Sequence, residues 1–338
     1  MFLRIFFSTL FVCAALLVPA QLKRFSFTES KMGAPFNIVL FCNDSTKANQ
    51  IAKQSFNLVD SFVLIFSDYI DSSELSKLSK TAVNNAAPVT VSPALFDILL
   101  LSKKAFDKSH GAFDITMGPL TKLWRKMRRE KIFPTDEAVQ QKRKLTGFNK
   151  ILIDTAGKKV TLTKPGMQLD LGGIGQGYIA QKIIDYLRTQ NIHHALVNVS
   201  GDIVMSDAPP GTKGWTVGVN VPQTTDELLP QTLLLHNMAV TTSGDAYQFM
   251  EHNGKRYSHI IDPRTGYGVI SQRNVTVIAN DGTTADWLAT ACSILSIKNA
   301  KKLAAKMNAV VLITENKNGT IKFYSSKDFA RYFKQTAQ

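Results

Sequence analysis

Apolar and polar residues follow two rhythms along the chain. Lys31–Cys42, KMGAPFNIVLFC, alternates and is β-rich, which predicts a first strand. From Ser45 to about Ser67 the spacing of Ile51, Phe56, Leu58, Val59, Phe62 and Val63 is helical, behind a Ser/Thr start. A polar stretch, SDYIDSSELSKLSK, follows. Ser92-Pro93 then opens a second helix, to Asp107, and GAFDITMGPLTKLW breaks the pattern with glycines.

After Lys150 the pattern predicts short strands (ILID, KVTLT, MQLDL), a helix Gln176–Arg188 and a strand ALVNV. Further strands are predicted near Trp215–Val219, Thr232–Leu235, Arg256–Ile261 and Asn274–Ile278. A helix containing Asp286, a helix near Ala300–Met307 and a strand Val310–Ile313 close the chain. Strands and helices mix without a regular βαβ beat, so the expected class is α+β, not a doubly wound parallel sheet. No repeat, low-complexity tract or linker divides the chain. At 338 residues and 44% hydrophobic content it can bury a substantial core.

The first twenty residues, MFLRIFFSTLFVCAALLVPA, carry one positive charge at Arg4, an apolar run, and Val18-Pro19-Ala20 before Gln21. This predicts a secretory signal over 1–20 and a mature domain over 21–338, exported to the periplasm. The alternative is a retained inner-membrane anchor, for which the apolar stretch is short. Export leaves Cys42 and Cys292, far apart and without a framework pattern, and the expectation is two free, buried thiols.

Net charge is +14, with much of the excess in KLWRKMRREK (Lys122–Lys131) and QKRK (Gln141–Lys144). No nucleic-acid motif accompanies these runs, so they read as a solvated basic surface and nucleic acid is not an expected partner.

Five stretches bear on candidate chemistry. In DGTTADWLATACSIL (Asp281–Leu295) a carboxylate at Asp286 and a hydroxyl at Thr290 stand one turn apart on an apolar helix. Thr283 and Asp286 fit a capping box, whereas Asp286 and Thr290 fit a hard cation such as Mg²⁺. LDLGGIGQGY (Leu169–Tyr178) sets four glycines between a strand and a helix, where a phosphate can approach the backbone. It is not a dinucleotide fingerprint, because G-x-G-x-x-G counted from Gly173 needs a glycine at 178, where Tyr178 stands. YSHIIDPRTGYGV (Tyr257–Val269) gathers His259, Asp262 and Arg264: a proton carrier, an orienting or turn-capping acid, and a phosphate clamp or turn holder. ALVNVSGD and AVTTSGD each end a strand with Ser-Gly-Asp, which suits a simple turn.

In order, MGAPF, FSDYIDSSELSKL, GAFDITMGPLTKLW, LDLGGIGQGY, LVNVSGDI, AVTTSGDAY, SHIIDPRTGYGV and ADWLATA resemble the ApbE family, the FAD:protein FMN transferases, from about Lys31 to the C-terminal region. The resemblance implies an ApbE-like, T-fold-like α+β domain with mixed sheets and packed helices. It implies Mg²⁺-dependent transfer of FMN from FAD to a Thr or Ser hydroxyl of an acceptor protein, with AMP released. Asp286, Thr290 and the Gly173 carbonyl are then the implied Mg²⁺ ligands. Met32, Tyr69, Ala112, Phe113, Asp114, Asp170, Gln176 and Ile260 are the implied FAD contacts, and His259 is the candidate general base. Implied partners are acceptors in membrane-associated redox complexes.

The chain departs from the family's usual residues at Trp287, Gly268, Gln176, Ser200 and Ala34. FAD hydrolysis to FMN and AMP, and non-catalytic flavin binding, stay open as alternatives, because the same contacts serve all three.

Overall fold

The protein is described from a computed structural model covering residues 21–220, 228–244, 248–317 and 319–335. The proposed signal and Asp245 of the second Ser-Gly-Asp turn lie outside these residues.

Strands β1 (Lys23–Lys31) and β2 (Ala34–Cys42) lead into helices α1 (Ser45–Phe66) and α2 (Glu74–Lys80). A short strand β3 (Val89–Thr90) precedes α3 (Pro93–Ser109), α4 (Gly118–Glu130) and α5 (Asp136–Arg143). Then come β4 (Ile151–Asp154), β5 (Lys159–Leu162) and α6 (Gly175–Thr189), followed by β6 (Ala195–Val199) and β7 (Asp202–Met205). Strands β8 (Trp215–Val217), β9 (Leu233–Leu235), β10 (Met238–Ser243), β11 (Phe249–His252), β12 (Lys255–Ser258) and β13 (Arg273–Ala279) follow. Helices α7 (Gly282–Ile294) and α8 (Ile297–Lys306) and the hairpin β14 (Val310–Lys317) and β15 (Thr320–Ser325) complete the order.

Eight strands form one sheet in the order β1-β2-β6-β7-β10-β13-β14-β15, with every neighbouring pair antiparallel. The α+β expectation holds. Period-two alternation sorts the side chains: Phe36, Ile38 and Leu40 of β2 join the core beneath the helices, while Val39 joins a second core with Trp215, Leu235 and Phe329. Helix α7 packs against α6 on one side and β10 and β13 on the other. That explains its nearly all-apolar sequence, since a helix enclosed on every side has no solvent face.

Three expectations change. The predicted first strand, Lys31–Cys42, is broken by a two-residue turn at Met32 and Gly33, with φ of 57° and 74°, so that β1 folds back on β2 and Lys31 faces Ala34. β1 escapes the pattern because it is an edge strand whose residues are mostly exposed. MQLDL is not a strand: the Leu169 N–H donates to Ser79 Oγ (3.1 Å) and the Asp170 N–H to the Ile115 carbonyl (2.8 Å), so its backbone is satisfied outside any ladder. Within GAFDITMGPLTKLW, Pro119 opens α4 at its first turn, which continues through the basic run.

Cys42 and Cys292 are both buried and free, and burial pushes the Cys292 thiol up to about 12. Among the described residues no helix is long and apolar enough to cross a membrane.

Phe36 is fully buried, so Phe36→Ala is expected to lower stability by about 3–5 kcal/mol in urea unfolding. Leu152→Ala, at a β4 position 58% exposed, is expected to change it by less than about 0.5 kcal/mol.

Candidate active site

The glycines of Leu169–Tyr178 provide space, since Gly172, Gly173, Gly175 and Gly177 all stay out of the left-handed region. A Cβ on Gly177 would lie 2.2 Å from the Gly282 carbonyl oxygen, and one on Gly282 would lie 2.4 Å from that of Gly177. The first turns of α6 and α7 therefore cross in backbone contact. Asp286, only 5% exposed, accepts the Gly177 N–H at 2.9 Å there. A Cβ on Gly173 would come within 2.8 Å of Thr290 Oγ1, so Gly173, Asp286 and Thr290 converge.

The capping box on α7 does not form. Asp281 is the N-cap, accepting the Thr284 N–H at 2.8 Å, which leaves Asp286 beyond the first turn. Its carboxylate serves the start of α6 instead.

Asp202 stands close enough for its charge to act on Asp286. Burial drives the Asp286 carboxyl well above its ordinary range, the Asp202 charge adds to this, and the Gly177 N–H opposes it. Burial raises Asp202 to about 6 against its hydrogen bond with Thr241. Among the described residues no cationic side chain acts on either group. Two buried acids, a hydroxyl one turn away and a Cβ-free backbone beside it form an oxygen-only donor set suited to a hard divalent cation.

These groups line a cavity of about 930 Å³. Every residue that the family resemblance implied for metal, FAD or base also lines it: Met32, Tyr69, Ala112, Phe113, Asp114, Asp170, Gln176, His259 and Ile260, besides Gly173, Asp286 and Thr290; Asp262 and Arg264 do not. Met32 arrives on the left-handed β1–β2 turn. Asp114 accepts the Thr116 N–H (2.8 Å) and hydroxyl (2.7 Å), and its burial raises its pKa. Trp287 stands 6.2 Å from the Phe113 ring and backs that wall without lining the cavity. Ser200 takes φ of 51° in the tight β6–β7 turn that delivers Asp202.

His259 follows β12. The Gln248 carbonyl lies 3.2 Å from Nδ1 and can only accept, so Nδ1 carries the proton and Nε2 keeps its lone pair. The surrounding walls lower the imidazole to about 4, assisted by the Arg128 charge and opposed by the Gln248 carbonyl and the Asp170 charge. His259 is nonetheless exposed to solvent, which moderates the depression. Arg264 does not line the cavity; it donates from Nε and Nη2 to Asp262 and holds the DPRTG turn.

Sequence reasoning missed Asp68, Arg125, Arg128 and Asp202. The basic run is not wholly a solvated face, because Arg125 and Arg128 turn toward the cavity from α4. Arg125 donates to Asp68 and, at 2.9 Å, to Asp170, and lies 4.4 Å from the Tyr69 ring centroid. Its signal was one of register: Thr121, Arg125 and Arg128 share a helix face with buried Trp124 adjacent.

A deep cavity with aromatic walls, inward arginines and a paired-carboxylate floor defines a pocket for a phosphorylated, ring-bearing ligand. The chain belongs to the ApbE family, whose sequence model matches residues 32–313. An FAD:protein FMN transferase of Klebsiella pneumoniae is 32% identical, covering 78% of this chain and 79% of that protein. One of Haemophilus influenzae is likewise 32% identical over 77% of each. The flavin transferase ApbE of Vibrio cholerae superposes with a TM-score of 0.82 at 26% identity, covering 92% of this chain and all of that one. The ApbE protein of Thermotoga maritima gives 0.81 at 28% identity, over 93% of this chain and 100% of that chain.

Gly177→Ala forces a methyl group into the Gly282 carbonyl and is expected to cost about 1–3 kcal/mol, read as an earlier thermal transition.

Proposed function

We propose that this chain is an FAD:protein FMN transferase: it moves FMN from FAD to a Thr or Ser hydroxyl of an acceptor protein and releases AMP. The observation that carries the reading is the convergence of His259, Tyr69, Asp170, Asp286 and Thr290 on one cavity, in a chain whose relatives bear that transferase name.

In this reaction the acceptor oxygen bonds to the FMN-side phosphorus. The bond from that phosphorus to the bridging oxygen breaks, and the oxygen leaves with the electron pair as part of AMP. His259 Nε2 takes the hydroxyl proton, and a neutral imidazole suits that task at pH 7. Tyr69 and Phe113 offer ring contacts, while Met32, Ala112, Asp114, Asp170, Gln176 and Ile260 complete the FAD surface.

Asp286, Thr290 and the Gly173 carbonyl would hold Mg²⁺, with Asp202 as a second carboxylate nearby. Bound there, Mg²⁺ supplies charge neutralisation on the pyrophosphate. The protein's share is to hold these oxygens in place through the α6–α7 crossing.

The reading includes export to the periplasm, supported by Arg4, the apolar run after it and Val18-Pro19-Ala20. It also includes acceptors in membrane-associated redox complexes, by family resemblance.

Mass spectrometry of an acceptor-domain peptide incubated with the mature chain, FAD and Mg²⁺ tests the transfer. An FMN increment on one Thr or Ser is expected, and none with Asp286→Ala. AMP and free FMN without peptide modification would instead identify a hydrolase, and intact FAD throughout a binding protein.

The pH dependence follows from the lowered imidazole. Its base form, and with it kcat/KM, rises with pH through the folded-state pKa, so the acidic limb is expected below 6.5 and toward 4. A limb centred at or above 6.5 would remove His259 as the base.

A further inference from the structure

Arg125 joins parts of the cavity wall that are far apart in the chain. Its Nη2 donates to Asp68 Oδ2 and, at 2.9 Å, to Asp170 Oδ2. The same nitrogen reaches Thr121 Oγ1 at 3.2 Å, and Nε faces the Thr121 carbonyl at 3.4 Å, so the preceding turn of α4 steadies the side chain. Asp68 lies just after α1 and Asp170 just before α6. Removing the guanidinium would leave two carboxylates facing each other without their shared partner.

Tyr69 depends on the same group. It is 79% exposed, yet its ring sits against the guanidinium carbon at 4.4 Å. Among the described residues the ring has no aromatic neighbour, and its backbone N–H donates to Ser67 Oγ at 3.2 Å. A tyrosine backed on one face by a flat cation, with its remaining surface open to the cavity, is a half-built stacking sandwich.

We propose that Arg125 is a positioning residue for FAD, locking the Tyr69 platform and the Asp170 carboxylate into one preformed unit. The proposal rests on the transferase reading and specifies how its substrate is recognised. None of the partners of Arg125 is His259, Asp286 or Thr290, and of these partners only the Asp170 charge reaches His259, so its loss acts mainly on substrate binding.

The test is equilibrium FAD binding by flavin-fluorescence quenching, with kcat, KM and thermal melting, on Arg125→Ala, Arg125→Lys, Tyr69→Ala and the Arg125→Ala, Tyr69→Ala double variant. Arg125→Ala is expected to weaken FAD binding about tenfold, as a raised KM with kcat within about twofold. Arg125→Lys keeps a charge between the carboxylates but loses the flat fork, and is expected to fall between Arg125→Ala and the parent. If Arg125→Ala melts early, the lysine variant alone decides. In the double variant the two losses are expected to combine to less than their product, because Arg125 acts partly through Tyr69.

Parent-like FAD binding in the lysine variant, a loss confined to kcat, or losses that multiply would overturn the proposal. A parent chain that fails to bind FAD would overturn the transferase reading with it. FAD binding without transfer would overturn the transferase reading alone.

Discussion

The first turns of α6 and α7 lie in backbone contact, and the chemistry of the cavity hangs on that contact. Gly177 and Gly282 have no side chains because each would strike the other's carbonyl oxygen. The approach brings a helix N-terminus against a buried carboxylate, so the Gly177 N–H and the partial positive charge of α6 meet Asp286. This compensation is modest for a buried acid with a second acid acting on it. Burying two neighbouring acids costs stability in their charged forms, and both carboxyls are accordingly pushed up from their ordinary range. Thr290 and Gly173 stand beside this pair, the one supplying a hydroxyl and the other the room around it.

The eight-stranded sheet is the rigid partner of that crossing. Strands β10 and β13 fix α7 from below, and the tight β6–β7 turn sets Asp202 at the start of its strand. The remaining wall comes from loops and helix ends: the β1–β2 turn, the segment after α1, the approach to α6 and the face of α4. Irregular segments on a stiff platform can bring distant residues to one ligand. Arg125 is the clearest case, with partners on either side of it in the chain.

Much of the fold was legible because its burial is strongly periodic. The α1 face, the α+β mixture and the later strands follow from alternation and helical spacing. β1 was hidden by its exposure, and MQLDL mimicked a strand because its alternately buried residues keep that pattern while its backbone is satisfied by Ser79 of α2 and by Ile115, not by a ladder. α4 was hidden because its basic residues suggested a solvated surface, although a minority of them point inward.

By itself, the sequence determined the residue types and spacings: a carboxylate and hydroxyl one turn apart, glycines where backbones must touch, and a histidine beside a Pro/Gly turn. These are local facts, so a linear pattern can hold them. Tertiary structure alone decided that Asp286 caps α6 and not its own helix, that Asp202 stands near it, that Arg264 holds a turn, and that Arg125 unites Asp68, Tyr69 and Asp170. Each of these depends on through-space distance between segments remote in the chain, and electrostatics and hydrogen bonding act over ångströms, not over residue number.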